Sequence, residues 1–341
     1  MRFLTFLFFS IATSFVCQSQ NSEHYRLVFW NVENLFDTWD DSTRLDDDFT
    51  PRGQYHWTSA RYGEKQKHLA QAIISLGVSK DNKLQPPLIV GLAEVENDKV
   101  LRDLCQGTAL RRFGYKFIHF DSPDRRGIDN ALLYDKERFT PCFTQNICVS
   151  DSTKGFFTRD ILLVEGVTNK GDTLIILVNH LPSKRNSGNA VHRIEIAQRL
   201  RNTLDTLAAM HPTAAIVTMG DFNASPNEHE IKSNLLQDSD CCFVNLMAHK
   251  SSKGSYKYKG NWEFLDQIIV SRNLLTPNSR CPLALQSDSG QVFDSDFLLV
   301  DDNTYLGKKV KRTFLGPRYI GGYSDHLPVY VDLIRKGPEK E

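Results

Sequence analysis

The sequence lacks net charge: its 341 residues carry 41 Lys and Arg against 41 Asp and Glu. A chain so balanced does not hold a polyanion by its bulk field, so any contact with nucleic acid must use local patches. It also lacks internal repeats and any linker that would split it, which leaves one large domain as the economical reading. It lacks an apolar run long enough to span a membrane. Met1-Arg2 followed by the short apolar stretch Phe3 to Ala12 reads instead as a signal peptide, cut after Ser19, for a secreted or periplasmic protein. Lipid attachment at Cys17 is the competing fate, although Val16 is a poor residue immediately before a lipidated Cys. Cysteine pairs at metal-ligand spacing are missing too. Without Cys17 the chain keeps Cys105, Cys142, Cys148, Cys241, Cys242 and Cys281, an even number in an oxidising compartment, and leaves open both disulfides and buried thiols.

What is present is a globular composition, 40% hydrophobic and 24% charged, arranged as apolar runs that stop at polar residues. The run Ile216-Val217-Thr218-Met219 ends at Gly220-Asp221-Phe222-Asn223, where Gly220 is expected to let the chain turn and Ser225-Pro226-Asn227-Glu228 to start a helix. Arg26 to Trp30 ends at Asn31, and Leu88 to Ala93 ends at Glu94. Ile128 to Tyr134 is a strand with Asp129 near its start. Strands at 161–167 and 173–178 flank the hairpin signal Asn169-Lys170-Gly171-Asp172, and the second ends at Asn179-His180. Helices are expected after Thr58, after Asn97 and over about 188–209. Asp266 lies inside the run Phe264 to Val270, and Ser324-Asp325-His326 precedes the last strand, Leu327 to Leu333. The acid-rich loop from Asp37 to Tyr55 is a solvated loop or, as the sharper reading, a structural calcium site. The segment 278–317 has few periodic stretches.

Each of these polar residues has an ordinary explanation alone: a turn former, a helix-entry charge or a satisfied buried group. Repetition at strand end after strand end points to one convergent site, because such edges gather on one side of an α/β sandwich. The set Trp30-Asn31-Val32-Glu33-Asn34, Gly91 to Asn97, Val178 to Ser183, Gly220-Asp221-Phe222-Asn223, Leu265-Asp266 and Ser324 to Val329 resembles the endonuclease/exonuclease/phosphatase superfamily, over about residues 25–334, with 335–341 as a polar tail.

The resemblance implies a four-layer α/β sandwich of two mixed β-sheets flanked by helices, and hydrolysis of phosphate esters with a divalent cation, Mg2+ in the first place and Mn2+ or Ca2+ as alternatives. It implies Glu94, Asn31 and Asp325 at the metal, and Asp221 with Asn223 orienting water and holding phosphate. His326 would activate that water, oriented by Asp266. His180 would face the leaving oxygen, with Asp129 as its carboxylate partner. The chemistry suits these types: a hard cation offsets the phosphate charge, a fixed imidazole moves protons near neutral pH, and carboxylates orient both.

For a secreted chain the expected substrate is nucleic acid cut internally, tracked by Arg125-Arg126, Lys184-Arg185 with Arg193, and the run Lys308 to Arg312, with Trp262 and Tyr323 as stacking platforms. The enzyme alternative is a phospholipid or small phosphodiester or phosphomonoester hydrolase. The alternative outside enzymes is a secreted binding protein on the same fold. No stable protein partner is implied, and the chain is read as a monomer.

Overall fold

The computed structural model describes residues 23–78, 84–184, 189–237, 242–248, 253–275, 281–286 and 290–335. The expected signal segment, Cys17, Cys241 and Arg185 lie outside the described residues. In chain order the main elements are β1 (His24–Leu35), α1 (Ser59–Ser75), β2 (Ile89–Val95), α2 (Asp98–Gly107), β3 (Tyr115–His119), β4 (Asp129–Asp135), β5 (Phe139–Ile147), β6 (Ile161–Thr168), β7 (Thr173–His180), α3 (Asn189–Met210), β8 (Ala215–Asp221), β9 (Phe243–Asn245), β10 (Asp266–Ser271), β11 (Leu283–Leu285) and β12 (Val329–Arg335).

They form two mixed sheets, one ordered β11-β12-β1-β2-β4-β3 with Gln291–Val292 also on β12, the other β5-β6-β7-β8-β10-β9. Alternation along the strands builds the layers. Leu27 and Phe29 of β1 join Leu174, Ile176 and Val178 of β7 and Val217 and Met219 of β8 in the core between the sheets. Val28, Trp30 and Val32 face the other way, onto Leu69, Ala72 and Ile73 of α1, Leu76 just after it, and Leu101 and Leu104 of α2. Ile175, Leu177 and Ile216 face Ala197, Leu200 and Leu204 of α3. The result is the four-layer α/β sandwich. Thr58 and Asn97 cap α1 and α2 as their types predict, accepting from the N–H of Arg61 and Val100.

Each sheet contains one parallel pair, β1 with β2 and β7 with β8. A parallel pair needs a crossover, and α1 and α3 supply it. The carboxyl ends of all four strands therefore lie together at one rim of the sandwich. β10 runs antiparallel to β8, so its first residue, Asp266, sits opposite Asp221. β12 runs antiparallel to β1, which brings the segment just before it, with His326, to the same rim.

Several local expectations change. Gly220 makes no turn: β8 runs on to Asp221, and what requires glycine is close approach, since a Cβ there would lie 2.3 Å from the Asn179 carbonyl oxygen. After Ser225 the chain makes a turn and then a π-helix, Glu230–Leu235, although Glu228 does reach back to accept from the Ser225 N–H at 2.9 Å. The Leu236 N–H donates to the Ile231 carbonyl (2.9 Å), five residues back, as the wider π turn requires. β12 extends to Arg335, one residue into the expected tail. Cys105, Cys142 and Cys148 are free thiols. Among the described residues no helix is long and apolar enough to cross a membrane.

Candidate active site

The strand ends at the rim carry strained backbone. Glu33, Asn34, Glu94 and Asn223 make up half of the eight non-glycine residues with positive φ among the described residues. Such conformations cost about 1–3 kcal/mol each and persist where the surroundings hold them. Glu94 (φ 65°) occupies a bulge where pairing shifts between Ala93 and Val95. The bulge re-aims its side chain, and the Asn34 N–H fixes it by donating to Oε2 at 2.8 Å.

Around this point the rim residues converge. The Asn31 amide donates from Nδ2 to Asp221 Oδ2 (3.0 Å) and to Glu94 Oε1 (3.4 Å). His180 Nε2 lies 3.6 Å from Asp221 Oδ2 and 3.9 Å from Glu94 Oε1. His326 Nδ1 is 2.7 Å from Asp266 Oδ2, and its Nε2 faces Asp221 Oδ2 at 3.8 Å and Asp325 Oδ1 at 3.9 Å. The His326 segment is pinned from behind: the Trp30 indole donates to the His326 carbonyl (2.9 Å), and the Ser324 hydroxyl donates to the Asn31 carbonyl (2.6 Å).

Burial and charge set the two histidines apart. Burial, with the cations Arg159, Arg126 and His326 around it, pushes His180 well below the usual imidazole range, so it is neutral. Burial opposes charge on His326 as well, but Asp266 and Asp221 outweigh it and hold the ring well above that range, as imidazolium. Burial, with Asp266 alongside, raises Asp221 to about 6. The near-neutral base expected at His326 is therefore a proton donor in this setting, while Asp221 beside it is raised toward neutrality.

One expected pairing is corrected, and three residues gain partners that the sequence did not show. Asp129 does not pair with His180; it accepts from the Ser122 N–H (2.9 Å) and faces His119 (3.4 Å). Asn31 presents nitrogen rather than oxygen to the two carboxylates, because its Oδ1 accepts from the Glu33 N–H (3.0 Å). Asn223 spends its amide N–H on the Leu181 carbonyl (2.9 Å) and so braces the end of β7. Asp325 is held by Arg312 Nη2 at 2.9 Å, at the border of the cluster.

The expected basic track is mostly paired: Lys184 with Glu228 (2.6 Å), Arg193 with Glu230 (2.9 Å), Lys308 with Asp301 (2.8 Å) and Lys309 with Asp302 (3.7 Å). Arg126 is half exposed and only loosely tied to Asp124 at 3.5 Å, while Arg125 and Lys311 lie over the Phe157 and Tyr323 rings instead of beside a carboxylate. Tyr323 is a core residue whose hydroxyl donates to Gln71 (2.9 Å), and Trp262 packs against the helix-side core.

Sequence reasoning missed a charged cluster beneath the site. Buried Lys65 donates to Thr313 Oγ1 and the Tyr323 carbonyl, both at 2.6 Å, and buried Glu33 accepts from the Thr313 N–H at 2.6 Å. Burial, with Asp325 nearby, raises Glu33 to about 7, and burial lowers Lys65 to about 8 despite Glu33. Lys65 stands four residues before Leu69 on the apolar face of α1, the one signal that marked it as buried.

The site fits a hard divalent cation. Glu94 and Asp221 converge on one amide, and Asp221, Asp266 and His326 form a group whose ligand atoms lie within 4.8 Å of one another. Burial beside Asp266 raises Asp221 to about 6, the sign of crowded negative charge that a cation would offset, and the donors it would meet are the carboxylate oxygens of Glu94 and Asp221.

Residues 26–335 match the family model described as "Endonuclease/Exonuclease/phosphatase family". No curated protein sequence matches the chain. Among solved structures, a humanised D. rerio TDP2 carrying 14 mutations is 15% identical, with 91% of this chain and 98% of that one covered at TM-score 0.58. The human Nocturnin catalytic domain with bound sulfate is 18% identical (93% and 97% covered, TM-score 0.53). A Bacteroides thetaiotaomicron mannosyl-6-phosphatase is 14% identical (91% and 99%, TM-score 0.56). At these identities the likeness is one of fold.

Proposed function

The chain belongs to the endonuclease/exonuclease/phosphatase family, and from that premise we propose that it hydrolyses a phosphate ester by attack of water, with a divalent cation, Mg2+ in the first place, outside the cytoplasm. The observation that carries this is the convergence of Glu94 and Asp221 on the Asn31 amide, with the His326–Asp266 pair facing the same point.

Glu94 and Asp221 would hold the cation, with Asp325 at its border. When bound, it supplies charge neutralisation for the phosphate and an acidified water. Asp266 accepts from His326 Nδ1–H, which fixes the ring and aims Nε2–H inward to donate to a phosphate oxygen. Asp221, between Asn31 and the two histidines, is placed to orient the attacking water beside the cation it would hold. Neutral His180 turns Nε2 toward Glu94 and Asp221 (3.9 and 3.6 Å), so that nitrogen carries the single N–H and donates inward. Arg126, which helps to depress His180, supplies a fixed positive charge at the mouth.

Two substrate classes follow. The endonuclease reading of the sequence needs a line of cations beside the centre, and Lys184, Arg193, Lys308 and Lys309 are all engaged by carboxylates. That pairing favours the second reading, a small phosphate ester held at the centre by Arg126. The B. thetaiotaomicron mannosyl-6-phosphatase of the same fold is in line with it, and a D. rerio TDP2 complexed with a single-strand DNA product is in line with the first. The test is the mature chain with Mg2+ on supercoiled plasmid and, in parallel, on a panel of sugar phosphates. Phosphate release without nicking is expected; nicking at comparable enzyme concentration would restore the endonuclease.

A further inference from the structure

Asp129, released from the role expected of it, belongs to a second cluster with His119 and Asp121, in which one ligand atom from each lies within 4.8 Å of the others. His119 ends β3, Asp121 follows it and Asp129 opens β4. We propose that these three side chains form a Zn2+-type site that shares no residue with the catalytic centre.

The case starts from the imidazole. Asp98 Oδ1 lies 2.9 Å from His119 Nδ1, which puts a proton on Nδ1 and aims Nε2 at Asp129, the orientation usual for a metal-binding histidine. The side chain is 3% exposed, and Nε2 is buried without a hydrogen bond. Asp129 Oδ2 lies 3.4 Å away. A charge-assisted hydrogen bond closes to about 2.7–2.9 Å, whereas ligands bonded at about 2.0–2.1 Å to a tetrahedral Zn2+ stand roughly 3.3 Å apart. The Ser122 N–H donates to Asp129 Oδ1 at 2.9 Å, so Oδ2 is already aimed.

Asp121 is exposed and turns onto a cavity of about 380 Å³ that Asp37, Asp41, Asp46 and Glu96 also line. Those carboxylates give a negative approach that gathers cations, and the opening is the entry path. Three carboxylates, Asp98, Asp121 and Asp129, face one imidazole, more negative charge than a protonated ring offsets. One nitrogen with two oxygens and an open position suits Zn2+ better than Mg2+, which keeps to octahedral oxygen shells. A bound ion would tie the end of β3 to the start of β4 and fix the loop between them, which carries Arg126.

The test is Zn2+ titration of the full chain by calorimetry with Mg2+ in excess, for wild type, Asp121→Asn and His119→Gln, together with 15N NMR of the His119 ring. Asp121 is on the surface, so its variant keeps the fold. Expected are Zn2+ binding weakened about tenfold or more in each variant and, in the wild type, movement of the His119 Nε2 resonance to the metal-bound position. Zn2+ binding changed less than about twofold by both variants, or a ring that stays protonated on both nitrogens at saturating Zn2+, would overturn the proposal and leave His119 as an imidazolium between Asp98 and Asp129.

Discussion

At the scale of single residues, the centre depends on keeping neighbouring groups in different protonation states. Asp266 and Asp221 hold His326 as imidazolium, while Arg159 and Arg126 help to keep His180 neutral. Replacing Asp266 by Asn removes the largest charge that raises His326. Its imidazolium would then be lost at lower pH, so the alkaline limb of the kcat/KM profile moves down while the value at its optimum falls about 10²–10⁴-fold. A pH–rate profile of Asp266→Asn measures both; an unchanged alkaline limb would show that His326 does not act as the donor. Asp221, Asp266 and His326 were legible because each sits where an apolar run meets a strand end. The Asp129–His180 pairing failed because sequence order does not tell which strand faces which across two sheets. Asp129 opens β4, in the sheet opposite the one that carries His180, and it found His119 at the end of the neighbouring β3 instead. Glu33 was quoted in its motif but given no role, since only the fold brings Thr313, Arg312 and Lys65 around it.

At the scale of elements, the site depends on two parallel strand pairs keeping their carboxyl ends level, and β1 is held at its other edge by β12. Arg26 donates twice to Asp332 across that edge, at 2.7 and 2.8 Å. The pair, with His24, lowers Asp332 to about 2 against the cost of burial. A depressed carboxylate contributes stability that is complete above its unfolded value near 3.9 and is lost as pH falls toward about 2. Asp332→Asn is therefore expected to cost about 1–3 kcal/mol at pH 7 and to flatten the acid side of the stability profile between about pH 4 and 2. Denaturant unfolding across that pH range checks it, and equal losses at pH 7 and pH 2 would contradict it. Strands and long helices were readable because their periods are strong: α3 was expected over about 188–209 and forms over Asn189–Met210. The capping signal at Ser225 misled because only half of it forms, the reach-back from Glu228, before the chain widens into a π turn. Gly220 misled for another reason, since close approach between strands leaves no mark in a sequence that differs from a turn.

At the scale of the whole molecule, zero net charge and paired surface cations describe an enzyme that draws its ligand in locally. The cavity beside the centre is acidic, lined by Asp37, Asp40, Asp41, Asp46, Glu96 and Asp121 with Arg44 and Arg126. Such a rim repels anions, a long polyanion most of all, and gathers cations. The sequence showed that the chain was balanced but not that its basic residues would be spent on neighbouring acids, because partners such as Glu228 for Lys184 lie far along the chain. The claim on which the rest depends is that the rim is a cation-dependent phosphoesterase centre. The most direct measurement is the rate of p-nitrophenyl phosphate and bis(p-nitrophenyl) phosphate hydrolysis by the wild type with Mg2+, by the wild type after chelation, and by Glu94→Gln. The expected result is turnover of at least one ester with Mg2+ that falls about 100-fold or more both on chelation and in the folded variant. Turnover that survives chelation and Glu94→Gln to within about threefold would place the chemistry elsewhere and contradict the account.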